Sequence, residues 1–169
     1  QLLIINAWYI AARLPLSETL PFYHSRMAMW MILFAPNKTF FKQYFALVGV
    51  FGSIMALVYP VFYPFPLPHV SSLNNVFGHW ALLANCLIYL VSYYEVEKGD
   101  TWKICLMTFG VNAIICLANL LTGGNYGFMS KPPVIGDHGG LLNYLIVTSL
   151  MAGTLVLINQ LVKYKHKNR

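Results

Sequence analysis

A few titratable and polar side chains interrupt an otherwise apolar chain, and these are the residues that could do chemistry. The candidate site residues are His24, Ser25, Arg26, His79, Asn125, Tyr126, Lys131 and His138. A serine hydroxyl becomes a nucleophile when a histidine takes its proton, and an arginine guanidinium matches the geometry of a phosphate. The residue types therefore allow nucleophilic chemistry, with Arg26 able to bind a substrate phosphate.

The spacing decides which of these side chains can work together. His24 and Ser25 are neighbours, so on a helix they point about 100° apart and do not pair as base and nucleophile. A base for Ser25 must come from another helix, and His79 is the natural candidate. The alternatives are structural: Ser25 bonds a carbonyl of its own helix, Arg26 extends to lipid phosphate, and His79 forms an interhelical hydrogen bond.

The histidines do not form a metal-binding pattern. His24, His79 and His138 could share an ion only if three helices met, and no histidine pair has the i, i+4 spacing of a helical site. Cys86, Cys105 and Cys116 all lie in apolar stretches and form no C-x-x-C motif. We therefore predict neither a metal nor another cofactor.

The composition identifies the environment in which these residues lie. Of 169 residues, 58% are hydrophobic and 9% are charged, against roughly 25% charged in soluble domains. This excludes a soluble globular domain, a disordered chain and a disulfide-stabilised secreted module. The chain is predicted to be a polytopic integral membrane protein, with the bilayer as its main partner.

The apolar segments predict an all-α transmembrane helical bundle with five visible spans. They run over 20–35, 40–61, 76–94, 102–121 and 141–162, and residues 1–14 are interpreted as the end of an earlier helix. We treat 1–169 as a single transmembrane domain. Because the chain starts at Gln1 within an apolar stretch, we expect missing N-terminal sequence and six or more spans in the full protein.

The basic residues predict how the chain is oriented. Eight of the eleven Lys and Arg residues lie on one side of the five spans: Lys38, Lys42, Lys98, Lys103, Lys163, Lys165, Lys167 and Arg169. By the positive-inside rule that side is cytoplasmic, which places the C-terminus in the cytoplasm. Anionic lipid explains the net charge of +6 without a nucleic-acid partner. The candidate site residues then converge at the non-cytoplasmic end and predict a polar cavity there.

Two helix faces predict packing rather than chemistry. Asn112, Cys116 and Asn119 follow one face of the fourth span, where amides are expected to bond across helices. Gly49 and Ser53 form a small-xxx-small pair in the second span, which lets two helices approach closely.

Three motifs resemble a known family. They are LPFYHSR at 20–26, FGH at 77–79 and GNYGFM at 124–129 followed by Lys131-Pro132. They resemble the YwaF-like bacterial integral membrane family, which is similar to a eukaryotic transmembrane acyltransferase group that remodels ether phospholipids. The resemblance extends over essentially the whole visible chain.

The resemblance implies acyl transfer to or between lipids in a bacterial plasma membrane. Ser25 would carry the acyl group where the bacterial pattern usually has a cysteine, and His79 would be the base. Arg26 and Lys131 would bind phosphate, and Asn125 and Tyr126 would stabilise the oxyanion; His24 and His138 complete the substrate-binding set. Because serine departs from the pattern, Ser25 is a true nucleophile, an inactivated position or a structural residue.

Two further functions remain open. The chain could bind or transport a lipid or small molecule in the same cavity, which requires no nucleophile. It could also be a non-catalytic subunit of a membrane complex with a protein partner that the sequence does not identify.

Overall fold

The computed structural model describes residues 2–168, and all regular structure in that part is helical. Seven α-helices are described: α1 Leu2–Ala11, α2 Leu16–Thr19, α3 His24–Phe34, α4 Phe40–Val58, α5 Val70–Ser92, α6 Thr101–Thr122 and α7 Gly140–Lys167. Within 2–168, the four helices α4 to α7 are long and apolar enough to cross a membrane. The predicted all-α, polytopic membrane fold is therefore confirmed.

The four later predicted spans coincide with α4 to α7, with shifted ends. Helix α4 ends at Val58 because Pro60 disfavours a helical conformation at Tyr59, whose N–H still bonds Met55. Helix α5 begins earlier than predicted, where the His69 ring nitrogen Nδ1 accepts a hydrogen bond from the Ser71 N–H. Helix α7 continues to Lys167 because a helix can extend beyond its apolar segment into polar residues.

The first predicted span, 20–35, is not a membrane-spanning helix. Its helical part, α3, has 11 residues, which is about 16 Å of helix against roughly 30 Å of hydrocarbon. Leu20 is extended ahead of Pro21, and its N–H donates to the Tyr126 hydroxyl at 2.9 Å. Pro21 therefore precedes α3 instead of starting it, and four spans are described where five were predicted.

The described residues divide into two compact units. The first unit contains the residues up to Leu14 and His24–Glu95, and therefore α1, α3, α4 and α5. Its three longer helices cross closely at Gly49 of α4, where a Cβ would lie 2.3 Å from Cys86 Sγ and 3.3 Å from Ala28 Cβ. The predicted packing role of Gly49 is confirmed, because only a residue without a side chain allows this approach.

The second unit contains Pro15–Tyr23 and the described residues from Val96 onward, and therefore α2, α6 and α7. Helices α6 and α7 are joined by interhelical hydrogen bonds. Asn112 Nδ2 donates to Thr148 Oγ1 at 3.0 Å, and Tyr144 donates its hydroxyl to the Phe109 carbonyl at 3.0 Å. The predicted bonding of Asn112 across helices is confirmed. The prediction of a single domain stays a prediction.

Candidate functional site

Ser25 lies one residue into α3, against the backbone of α4. A Cβ on Gly52 would lie 3.6 Å from the Ser25 Cβ, and one turn away Ala28 packs on Gly49. Ser25 faces Gly52, and Ala28 faces Gly49. Residue numbers therefore rise along α3 where they fall along α4, so the two helices are antiparallel. The absence of side chains at Gly49 and Gly52 brings Ser25 close to the α4 backbone.

His79 of α5 lies at the same level of the first unit as Ser25, that is, at about the same height along the helix axes. Leu82 and Cys86 of α5 both contact the Gly49 position. Gln43, near the start of α4, exchanges two hydrogen bonds with the backbone of Glu95, beyond the end of α5. Helices α4 and α5 are therefore antiparallel, and His79 follows one turn from Leu82 on the same buried face.

A hydrogen bond to a carbonyl of its own helix fixes the tautomer of the His79 ring. Its Nδ1 lies 2.7 Å from the Asn75 carbonyl oxygen, and the residue is 8% exposed. A carbonyl oxygen can only accept, so Nδ1 carries the proton and Nε2 carries the lone pair. Nε2 is therefore the nitrogen that can take a proton from a nearby hydroxyl.

Arg26 is bound to α1 through Tyr9. Its guanidinium donates to the Tyr9 hydroxyl and lies 4.8 Å from the centre of that ring. Tyr9 is 3% exposed, so this end of the guanidinium is held by a buried residue. Arg26 also lies within electrostatic range of His79, which is consistent with the shared level of the two residues. His24 is the first residue of α3 and is half-buried.

Buried polar atoms without hydrogen-bond partners collect in the first unit. Within residues 2–168 they include Ser53 Oγ of α4, and Ser72 Oγ and Asn75 Oδ1 of α5. Ser72, Asn75 and His79 follow each other at spacings of three and four, so they share one face of α5. Most buried polar groups in proteins are hydrogen-bonded, so this polar face is unusual.

Asn125 of the second unit organises the loop between α6 and α7. Its Oδ1 accepts from the N–H groups of Ser130 and Lys131 at 3.0 and 2.9 Å, and its Nδ2 donates to the Lys131 carbonyl at 3.1 Å. Its amide group is therefore bonded within the loop. The Lys131 side chain is exposed.

Tyr126 is fully buried and connects this loop to two other segments of the second unit. Asn119 holds its backbone, accepting from its N–H at 2.7 Å and donating to its carbonyl at 3.0 Å. Its hydroxyl donates to the Leu16 carbonyl and accepts from the Leu20 N–H. These contacts favour a structural role for both Tyr126 and Asn119.

His138 and Asp137 precede α7 and are organised by Asn143. The Asn143 amide donates to Asp137 Oδ1 at 2.8 Å, and its oxygen accepts from the His138 N–H at 2.9 Å. Asp137 also accepts from the Gly139 N–H at 2.9 Å. The Gly139 hydrogen bond, followed by the Asn143 bond, lowers the pKa of the Asp137 carboxyl.

We expect Asp137 to make the stability of the protein depend on acidity. A carboxyl whose pKa is lowered by folding stabilises the fold above its unfolded pKa of about 3.9, and loses that effect as the pH falls through its folded value. The thermal midpoint of the wild type should therefore fall between pH 5 and pH 3, and that of Asp137→Asn should fall less. Thermal unfolding in detergent at several pH values measures both, and equal slopes would contradict the role of Asp137.

The structure brings together part of the predicted site in each unit. In the first unit Ser25, Arg26 and His79 lie at one level, and in the second unit Asn125, Tyr126, Lys131 and His138 lie in one connecting loop. The contact of Tyr9 with Arg26 could not be predicted, because nothing in residues 2–11 indicates it. The small-xxx-small pattern predicts only packing for Ser53, although its buried hydroxyl has no partner in the described chain.

The part of the chain that the structure describes contains no candidate metal site. Within residues 2–168, no three His, Cys, Asp or Glu side chains are grouped so that they could hold a metal ion.

Four helices that are long and apolar enough to cross a membrane define a multi-pass membrane protein, and in its first unit the half-buried Ser25 lies at the level of the buried His79. The chain belongs to the TMEM164 family, whose model matches residues 1–162. No curated protein and no solved structure matches the chain. The resemblance to the YwaF-like family and the acyl-transfer activity that it implies stay predictions.

Proposed function

We propose that the protein is a membrane-embedded acyltransferase that moves an acyl chain to or between lipids. The observation that carries the proposal is the level shared by Ser25 and His79, with the His79 proton held on Nδ1 by the Asn75 carbonyl. This arrangement presents the Nε2 lone pair as a base in a buried environment. A serine hydroxyl requires such a base, whereas a cysteine is partly ionised by itself.

The proposed reaction has two balanced halves. Ser25 Oγ attacks the carbonyl carbon of an acyl ester, and its proton passes to His79 Nε2. The ester C–O bond then breaks, and His79 returns the proton to the departing alkoxide. In the second half an acceptor hydroxyl attacks the acyl-Ser25 ester through the same proton transfers, which restores the Ser25 hydroxyl.

The charged residues are proposed to bind the lipid headgroup. Arg26 carries a positive charge next to the site, and its bond to Tyr9 limits its freedom, which lowers the entropy lost when it binds a phosphate. Within the first unit, His24 is proposed as a further headgroup contact beside Ser25. Lys131 and His138 are exposed in the second unit, and their part in headgroup binding stays a prediction from the sequence. For Asn125 and Tyr126 we now propose loop-holding roles instead of oxyanion binding, because their polar atoms are bonded within the fold.

We propose that the protein lies in a plasma membrane with its C-terminus on the cytoplasmic side. In the second unit Asn159 and Gln160 of α7 bond to Gly99 and Thr101, around the start of α6. The basic residues of both helices therefore collect at one end of this pair: Lys98, Lys103, Lys163, Lys165 and Lys167. This clustering supports a cytoplasmic assignment for that end.

The test of the proposed function is the acyl-enzyme itself. After incubation with phosphatidylglycerol vesicles, intact mass spectrometry of the purified protein should show one added acyl chain, located on Ser25. Ser25→Ala should give no adduct, whereas Ser25→Cys should form one, because a thiol is the more reactive nucleophile. An adduct of equal yield on Ser25→Ala would contradict the proposal.

The second candidate function is binding or transport of a lipid without chemistry. It is favoured by Ser53 Oγ and Asn75 Oδ1, two buried polar atoms that have no hydrogen-bond partner among residues 2–168 and that a ligand could satisfy. Co-purified lipid that is retained by both wild type and Ser25→Ala, with no adduct and no turnover in either, would support this function over the acyltransferase.

A further inference from the structure

Ser53 has a buried hydroxyl that the fold does not use. The residue is 0% exposed, and its Oγ has no hydrogen-bond partner within residues 2–168. A hydroxyl in the middle of a helix usually bonds the carbonyl four residues earlier. Thr108, Thr122 and Thr154 of this protein all do so, at 2.7 to 2.9 Å. Ser53 differs from these three residues, so its hydroxyl is left for another acceptor.

The position of Ser53 is determined by the crossing at Gly49. Gly49 contacts Ala28 of α3 and Leu82 of α5, so this face of α4 is directed at both neighbours. Ser53 follows one turn later on that face, about 6 Å along the axis. Because both neighbours run antiparallel to α4, the matching positions one turn earlier are Ser25 on α3 and His79 on α5. The three side chains therefore belong to one level of the first unit.

We propose that Ser53 is a further catalytic residue of this site, whose hydroxyl donates a hydrogen bond to the carbonyl oxygen of the acyl group. The inference rests on the proposed acyltransferase function and deepens it. When Ser25 attacks the carbonyl carbon, the electron pair of the C=O bond moves onto the oxygen, which becomes an oxyanion. A hydrogen bond from Ser53 strengthens as that charge develops, and no bond to Ser53 itself forms or breaks.

A donor that is already buried and unpartnered suits this task. It needs no reorganisation when the charge forms, and water does not weaken its hydrogen bond. A purely packing role predicts something different, because alanine would fill nearly the same volume and remove an unsatisfied hydroxyl. The packing role therefore predicts unchanged turnover, whereas the catalytic role predicts its loss in a protein that is equally or more stable.

The experiment compares Ser53→Ala with wild type in the full chain, reconstituted in vesicles. Labelled phosphatidylglycerol is the acyl donor and lysophosphatidylglycerol the acceptor. We expect kcat to fall about 100-fold with little change in KM, since the hydrogen bond acts mainly in the transition state. The thermal midpoint should stay the same or rise. Ser53→Thr keeps the hydroxyl and should recover a substantial part of the lost rate.

Thr108→Ala is the matched control. Thr108 is also 0% exposed, but its hydroxyl donates to the Ile104 carbonyl of its own helix at 2.8 Å, and it belongs to the second unit. Its removal should leave turnover unchanged. Rates are compared per monodisperse folded protein, so that a loss of folding does not count as a loss of catalysis.

The outcomes separate the two proposals. If Ser53→Ala turns over like wild type while Ser25→Ala and His79→Ala are inactive, the role of Ser53 is wrong and the acyltransferase stands. Threonine as inactive as alanine would also overturn the role of Ser53. If Ser25→Ala and His79→Ala both turn over like wild type, the assignment of Ser25 and His79 is wrong, and an absence of acyl transfer by the wild type would contradict the acyltransferase itself.

Discussion

Replacing His79 by alanine should lower acyl transfer by about 10²- to 10⁴-fold, the usual contribution of a positioned general base. Without Nε2 the proton of Ser25 has no acceptor, and a neutral hydroxyl is a poor nucleophile. The loss should appear in kcat with labelled phospholipid, and acyl-Ser25 should form more slowly in intact mass spectra. It is expected to be among the largest effects of a single substitution in this protein.

A second variant, His79→Asn, separates the proposed role of His79 as a base from its structural hydrogen bond to the Asn75 carbonyl. His79→Asn can still donate an amide N–H toward the Asn75 carbonyl, as Nδ1 does now at 2.7 Å. It has no basic nitrogen, so we expect it to be folded and as inactive as the alanine variant. His166→Ala, near the end of α7, removes a histidine outside the site and should keep wild-type turnover. Turnover by His79→Asn near the wild-type rate would contradict the base assignment.

The largest effect on stability is expected from Gly49→Ala. Its new Cβ would lie 2.3 Å from Cys86 Sγ, well inside van der Waals contact. Ala28 and Leu82 enclose the same point at 3.3 and 3.4 Å, so either the Cys86 side chain must turn away or the helices must move apart. Overpacking of this kind typically costs about 1–3 kcal/mol, so the thermal midpoint should fall by several degrees. Activity should fall with it, since the crossing sets the level of Ser25 and His79.

A double variant tests the cause of this destabilisation. Cys86→Ala removes the atom nearest to the new Cβ, so Gly49→Ala with Cys86→Ala should be more stable than Gly49→Ala alone. Gly110→Ala is the control, because a Cβ at Gly110 of α6 meets nothing within 4 Å. Its thermal midpoint should stay the same or rise, as expected when a helical glycine is replaced by alanine. Simple additivity of the two first-unit substitutions would show that the Cys86 contact is not the cause.

The positions of the four long helices could be predicted because they depend on local properties. A span requires about 20 apolar residues, and α4 to α7 each contain such a segment with polar or proline-containing boundaries. The segment 20–35 has a similar apolar character, but its first residues are not helical. Pro21 is compatible with the first turn of a helix as well as with a break, and the bond of Leu20 to Tyr126, which lies 106 residues later, is not visible in the segment itself.

Ser25 and His79 could be proposed from the sequence as nucleophile and base because few residues there have side chains suited to either role. The hydrogen-bond partners of Asn125 and Tyr126 could not be predicted in this way. Their residue types allow oxyanion binding, but their hydrogen-bond capacity is taken by Ser130, Lys131 and Leu16. Which polar atoms are occupied depends on the neighbours that folding supplies.

The sequence by itself determined that this is a multi-pass helical membrane protein, because the bilayer selects for long apolar segments and each segment satisfies its own backbone. Only the tertiary structure decided which polar groups stand together. Gly49 lets three helices approach closely, and the residues that meet at this crossing place Ser53 at the level of Ser25 and His79. Arg26 acquires Tyr9 as a partner for the same reason, since contacts between distant residues follow from packing and not from local pattern.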